Sequence, residues 1–205
     1  MIRERLAGGL IALAARLLTG AQARWQGCGP TGTQRIYVAN HSSHMDFVLI
    51  WTVLPPRLRR ETRPVAAGDY WDRGALRRYL IHRVFRGVLV NRGHIDRANN
   101  PIDGMCRALD QGASLILFPE GTRGSGEEVQ SFKSGLYHLA LARPEVEIVP
   151  VWIDNSYRVM PKGVALPIPL LCSVAFGKPA RLEAGETKAD FLTRMRQKVV
   201  DLGKA

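Results

Sequence analysis

Cysteine is scarce in this chain. Only Cys28, Cys106 and Cys172 occur in 205 residues, widely spaced and odd in number. They offer neither a disulfide framework nor a CxxC site, which fits a reducing compartment. Long apolar runs are missing too. A membrane-spanning helix needs about 20 apolar residues, and the best candidate, 6–18, is interrupted by Arg16. No G-x-S-x-G elbow is present, so a serine nucleophile of that type is excluded. Acidic residues are outnumbered, with 18 Asp and Glu against 29 Lys and Arg, leaving a formal charge of +11. A surplus of that size favours an anionic partner: nucleic acid, anionic lipid or a phosphorylated substrate. No nucleic-acid recognition motif or aromatic-rich basic stripe accompanies it, so nucleic acid is not the expected partner. What remains is a chain that folds: 46% of its residues are hydrophobic. Its length suits one domain with a sizeable core.

The chain is organised around Ile36-Tyr37-Val38-Ala39-Asn40-His41-Ser42-Ser43-His44-Met45-Asp46. A short β-branched run leads into a polar turn and then into the apolar run 47–54. This reads as strand, loop and helix, with His41 at the strand end. Histidine is suited to moving a proton near neutral pH. Asp46, five residues on, is placed to bond the far ring nitrogen, fix the tautomer and stabilise an imidazolium. With no protein nucleophile beside it, His41 reads as a base acting on a substrate hydroxyl. Taken alone, the spacing also fits a plain helix entry, with Ser42 or Ser43 as cap and Asp46 at the positive helix start. A metal held by His41, His44 and Asp46 would need further ligands that no other Cys or His cluster offers.

Three further blocks follow in similar settings: Val90-Asn91-Arg92, Phe118-Pro119-Glu120-Gly121-Thr122-Arg123 and Ile148-Val149-Pro150-Val151. Together with Asn40-His41 through Asp46 they resemble the glycerolipid acyltransferase family, the type that acylates lysophosphatidic acid. The resemblance runs from about His41 to Val151. It implies an α/β domain with its active site at the strand ends. It also implies transfer of an acyl group from a thioester, on coenzyme A or acyl carrier protein, to a lysophospholipid hydroxyl, with no metal or bound cofactor. By the same resemblance, His41 and Asp46 are catalytic and Arg92 and Arg123 grip the acceptor phosphate. Glu120 orients the glycerol portion, the Gly121-Thr122 turn belongs to the substrate site, and Pro150 shapes the acyl pocket. An arginine fork suits phosphate oxygens, and Gly121 allows a ligand close to the backbone. Lys133 is either a third phosphate contact or a solvated lysine. Backbone groups near the His41 turn are candidates for the oxyanion site. Where many family members carry a lysine, this chain has Ala67-Gly68-Asp69, and no role is assigned to that segment. Glycerol-3-phosphate or a lyso-aminolipid is an alternative acceptor, and an inactive membrane-binding module an alternative function.

Strands alternating with helices give an α/β fold: one domain with a mixed, mainly parallel central sheet flanked by helices. Residues 1–24 are expected to form an N-terminal amphipathic helix ahead of the acyltransferase domain, 25–205. On a helical wheel Leu10, Ile11, Leu17 and Leu18 share one side, with Arg5 and Arg16 nearly opposite. That is the layout of a helix lying on an anionic membrane surface, and equally of one packed on its domain. Ala21-Gln22-Ala23 mimics a signal-peptidase site, but Arg16 speaks against secretion. The expected location is the cytoplasmic face of a membrane, peripheral or monotopic. Leu76, Leu80 and Val84 recur at helical spacing amid arginines. Asn100 and Pro101 start a helix that Gly112 ends. Pro150 inside a strand predicts an edge or a bulge. The broken connection around Pro161, Pro167 and Pro169 offers apolar residues to lipid. Thr187 caps a last helix with Phe191, Met195, Val199 and Leu202 as its core face.

Overall fold

A computed structural model of the chain describes residues 2–43, 45–91, 100–124, 128–155 and 171–204. Arg92, His44, Ser125, Gly126 and the prolines at 161, 167 and 169 lie outside them. Strand β2 (Arg35–Ala39) is buried at every position. Its alternate side chains serve two separate cores. Tyr37 and Ala39 pack with Phe47, Leu49, Ile50 and Phe85, whereas Ile36 and Val38 pack with Met105, Leu136, Leu139 and Phe191. A strand buried on both faces reads as an unbroken apolar run, which is why 36–39 lacks polar alternation.

Seven strands form one sheet in the order β1-β7-β6-β2-β5-β3-β4. The strands are β1 (Gln22–Trp25), β2, β3 (Thr62–Ala67), β4 (Val88–Val90), β5 (Ser114–Leu117), β6 (Glu147–Ile153) and β7 (Ser173–Phe176). All pairings are parallel except β6 with β7, so β1 and β7 run against the other five. This is the mixed, mainly parallel sheet expected.

One face carries helices α1 (Ile2–Thr19) and α2 (Asp46–Val53) and a π-turn (Leu80–Val84) that extends α5 (Ala75–Tyr79). Two short helices, α3 (Pro56–Glu61) and α4 (Gly68–Trp71), flank β3. The other face carries α6 (Pro101–Asp110), α7 (Gly135–Ala142) and α8 (Lys188–Leu202). Asn100 accepts a hydrogen bond from the Ile102 amide, with Pro101 next to it, and Thr187 caps α8 through the Asp190 amide. Phe191, Met195 and Val199 are fully buried. These caps and core positions match the sequence expectation.

Two features depart from it, the end of the first helix and the π-turn, while Pro150 meets the second of its two expected settings, a bulge. The first helix ends at Thr19, and residues 22–25 form β1, an edge strand that pairs with β7. The π-turn closes with the Phe85 amide on the Leu80 carbonyl at 2.9 Å. Its extra residue rotates the helix face, so Ile81 rather than Leu80 enters the core and Leu76 stays exposed. Pro150 lies not on an edge but on an inner strand, opposite Val38. On its β7 side the pairing slips: Val151 faces Phe176, while Ile148 bridges Ala180, leaving one extra residue on the returning chain. That bulge falls where proline has no amide to give.

Candidate active site

His41 follows β2 by two residues, and Phe118 directly follows β5, its parallel neighbour. Both loops therefore leave the sheet at the same carboxyl edge, where α/β folds collect ligands. His41 Nδ1 lies 2.8 Å from Asp46 Oδ2. Asp46 is fully buried, and the same oxygen accepts the Ser42 and Ser43 amides at 2.7 and 2.9 Å. An ionised Asp46 fixes the proton on Nδ1 and leaves Nε2 as the acceptor.

The ring is held from other directions as well. Phe118 stacks on it with centroids 4.3 Å apart and planes 21° from parallel. The His41 amide donates to Glu120 Oε1 at 2.7 Å, and the His41 carbonyl accepts the Gly124 amide at 2.8 Å. One residue earlier, buried Asn40 clamps the end of β6: its side-chain amide donates to the Ile153 carbonyl and its oxygen accepts the Ile153 amide. Asn40 stands beside His41 in the sequence, but only the sheet order, with β2 next to β6, shows what it holds.

Glu120 is almost fully buried. Its second oxygen accepts the Gln130 amide at 2.9 Å, so both oxygens are engaged by backbone. Burial pushes its carboxyl above the ordinary range, against the two amide bonds that pull it down. The amides of 41, 42 and 43 are all committed to Glu120 or Asp46. This removes these groups of the His41 turn from the expected oxyanion donors.

His41 lines a cavity of about 260 Å³ with Val65, Ala67, Met105, Phe118, Gly121 and Lys133. Ala66 and Ala67, at the segment given no role from sequence, thus form one wall. Lys133 is the only lysine or arginine among the described residues to line it. Its chain crosses Gly121, which has a φ of 71°; a Cβ there would come within 2.8 Å of Lys133 Nζ. Arg123 is half-buried and Thr122 exposed, and neither lines this cavity. Pro150 does not line it either. Arg92 lies outside the described residues, two positions beyond β4. The structure thus brings together His41, Asp46, Glu120, Gly121 and Lys133. It leaves Arg123, Thr122 and Pro150 off the cavity wall.

Residues 26–154 match the model of the family described as Acyltransferase. A 1-acyl-sn-glycerol-3-phosphate acyltransferase of Cocos nucifera is 32% identical over 151 residues, covering 66% of this chain and 45% of the relative. One from Salmonella typhimurium is 27% identical over 181 residues, covering 82% and 68%. Several of these curated relatives are about twice as long as the stretch they share with this chain. The fold is that of the 1-acyl-sn-glycerophosphate (LPA) acyltransferase PlsC of Thermotoga maritima. The TM-score is 0.77 at 22% identity, over 98% of this chain and 78% of that one. The matched segment begins ahead of β2 and ends one residue past β6, enclosing the His41–Asp46 pair and the Glu120 turn, and on that match the chain belongs to the Acyltransferase family.

Proposed function

We propose that the chain transfers a fatty acyl group from a thioester to the free hydroxyl of a 1-acyl-glycerol-3-phosphate, giving phosphatidic acid. The observation that carries this is the oriented His41–Asp46 pair at the mouth of a largely apolar cavity with one cation on its wall. The acyl thioester of coenzyme A or of acyl carrier protein serves as donor and co-substrate, and its thiol is released as a product.

His41 Nε2 takes the hydroxyl proton as the acceptor oxygen attacks the thioester carbonyl. The Asp46 carboxylate stabilises the imidazolium that forms. General-base help of this kind is worth about 10²- to 10⁴-fold. The tetrahedral intermediate then expels the thiolate, which is far less basic than an alkoxide and needs little assistance. The proton on Nε2 leaves with the thiol. No cysteine competes for the nucleophile's role. Burial raises the thiols of Cys28 and Cys106, and pushes that of Cys172 up to about 11 with help from Asp154 and Asp46. Lys133 suits the acceptor phosphate as a mobile point charge. Arg123, half-buried two residues beyond Gly121, and Arg92 are the further candidates for that phosphate.

The membrane supplies the acceptor. No helix among the described residues is long and apolar enough to cross a membrane. Helix α1 instead packs on the domain through Gly8, Ala12, Ala15 and Thr19, and Arg16 donates to the Thr52 carbonyl. Its opposite stripe, Ile2, Leu6, Leu10, Leu13 and Leu17, is exposed, Leu17 by 78%. Such a face suits an interfacial helix on an anionic leaflet.

The test is turnover of a panel of acceptors by purified protein: lysophosphatidic acid, glycerol-3-phosphate, lysophosphatidylcholine and a lyso-aminolipid, each with acyl-coenzyme A and acyl carrier protein. Preference for lysophosphatidic acid is expected. A preferred acceptor without phosphate overturns the assignment of Lys133 and Arg123.

A further inference from the structure

A cavity larger than the one at His41 lies elsewhere on the molecule. A groove of about 680 Å³ runs between α1, α3 and the π-turn, at the far end of α2. The two cavities share no lining residue. Asp46 opens α2 and Trp51 lies near its other end, which at 1.5 Å per residue separates groove and catalytic pair by roughly 8 Å along the helix axis.

The floor is apolar: Trp51, Val84 and Phe85. The rim is basic: Arg5, Arg59, Arg60, Arg83 and Arg86 line it, against the single carboxylate Glu4. Among the described residues none of these five arginines has a carboxylate within 4 Å. His82, also on the rim, is already paired with Asp72 at 3.0 Å. Two of the rim arginines, Arg59 and Arg86, also feel an arginine outside the groove. Burial and Arg16 depress the Arg59 guanidinium, and burial and Arg86 depress that of Arg63. Arg59 donates to the carbonyls of Thr52 and Leu54, its guanidinium lies 5.1 Å from the Trp51 ring centre, and its Nε is buried without a partner. Arg86 has a φ of 54°, a left-handed conformation that a non-glycine residue adopts at a cost. Like charges gathered around an apolar floor, one on a strained backbone, suit an amphipathic anion.

The geometry points to a second lipid site: the groove holds the phosphate of an anionic membrane phospholipid, apart from the acceptor bound at His41. The same helix that supplies Arg5 and Glu4 to the groove turns its leucine stripe outward. A headgroup in the groove therefore sits at the level where that stripe meets lipid. For its source of phosphate the assignment rests on the membrane-facing reading of α1; the groove itself does not.

The probe is dihexanoyl phosphatidylglycerol below its micelle concentration, titrated calorimetrically into the full chain with no acyl donor or acceptor present. Saturable binding is expected. The exposed pairs Arg83→Gln with Arg86→Gln, and Arg5→Gln with Arg60→Gln, are each expected to weaken it about tenfold or more, the loss that follows removal of charge-assisted contacts. Turnover of dispersed short-chain substrates should stay within about twofold, as befits residues outside the catalytic cavity. Thermal unfolding of both double variants verifies folding, and the second pair serves if the first is unfolded. No saturable binding by the unaltered protein, or equal binding by both double variants, overturns the site. So does displacement of the lipid by coenzyme A with a raised donor KM in the variants, which gives the groove to the donor's phosphates. An error in the acyl-transfer reading would leave the calorimetric arm unchanged, because that arm uses no substrate.

Discussion

The cavity at His41 and the groove beside α1 treat their polar groups in opposite ways. Around His41 the groups that aim the base are engaged: Nδ1 by Asp46, the amide by Glu120, the carbonyl by Gly124, and the ring face by Phe118. Nε2 is the ring nitrogen left for a substrate. Around the groove at the far end of α2, five arginines line the rim with no carboxylate partner among the described residues. One region is organised in advance, so that little rearrangement accompanies a short-lived charge. The other holds charge that something outside the chain completes. The difference separates the part of the molecule that reacts from the part that docks.

The largest break in that contrast comes from the catalytic pair. His41→Ala should lower turnover by about 10²- to 10⁴-fold while leaving lysophosphatidic acid binding within a few-fold, measured by single-turnover kinetics and equilibrium binding. Asp46→Asn should approach the same loss, because an amide no longer fixes the tautomer or stabilises the imidazolium.

Next in size is Lys133→Gln. The KM for lysophosphatidic acid should rise about tenfold or more, the loss expected for a charge-assisted contact, with the donor KM nearly unchanged. Arg123→Gln should follow in the same direction with a smaller effect, since Arg123 does not line the cavity as it stands. Equal rises for donor and acceptor would assign Lys133 to the donor.

Glu120 sharpens the contrast through pH. Burial raises its pKa above the ordinary range, so the folded chain binds this proton more tightly than the unfolded chain. Stability then falls as pH rises from the ordinary glutamate pKa through the raised one. Denaturant unfolding across that interval should show the fall in the unaltered protein and not in Glu120→Gln. The variant should also lose part of its turnover, because His41 keeps a weaker backbone anchor.

The smallest effect on chemistry belongs to α1. Replacing Leu10 and Leu17 with glutamate should release the protein from vesicles of either neutral or anionic lipid, with turnover of dispersed substrates unchanged. Vesicle flotation reads this directly. Point substitutions are preferable to truncation, because α1 covers Trp51 through Gly8 and the chain proceeds from it into β1. Groove variants should affect the anionic lipid component alone.

Much of this was legible in the sequence. The run into His41, the Asn100 and Thr187 caps and the 191/195/199 face each carry a local signal, and local signals survive folding. Strand β1 did not show, because four residues between a helix and a glycine-rich turn have no pattern until β7 arrives to pair with them. The π-turn was hidden for a different reason. Leu76, Leu80 and Val84 fit a regular helix, and only the packed core reveals that Ile81 takes the buried position. The wheel for α1 set Leu10, Ile11, Leu17 and Leu18 opposite Arg5 and Arg16; the helix turns the three leucines outward, while Ile11 packs against the core. The surface it packs with is made mainly of Gly8, Ala12 and Ala15, residues too small to register as a hydrophobic face. The work of Asn40 and Glu120 depends on partners 113 and 79 positions away, a separation that no local motif encodes.

The central claim is that His41 acts directly on the acceptor, with no acyl group ever attached to the protein. Intact-mass spectrometry after mixing the protein with acyl-coenzyme A alone tests it, with thiol release followed in parallel. The expected result is an unmodified protein mass, and thiol release that begins only when lysophosphatidic acid is added. An acyl adduct on the protein, or a stoichiometric burst of thiol before any acceptor is present, would contradict the account.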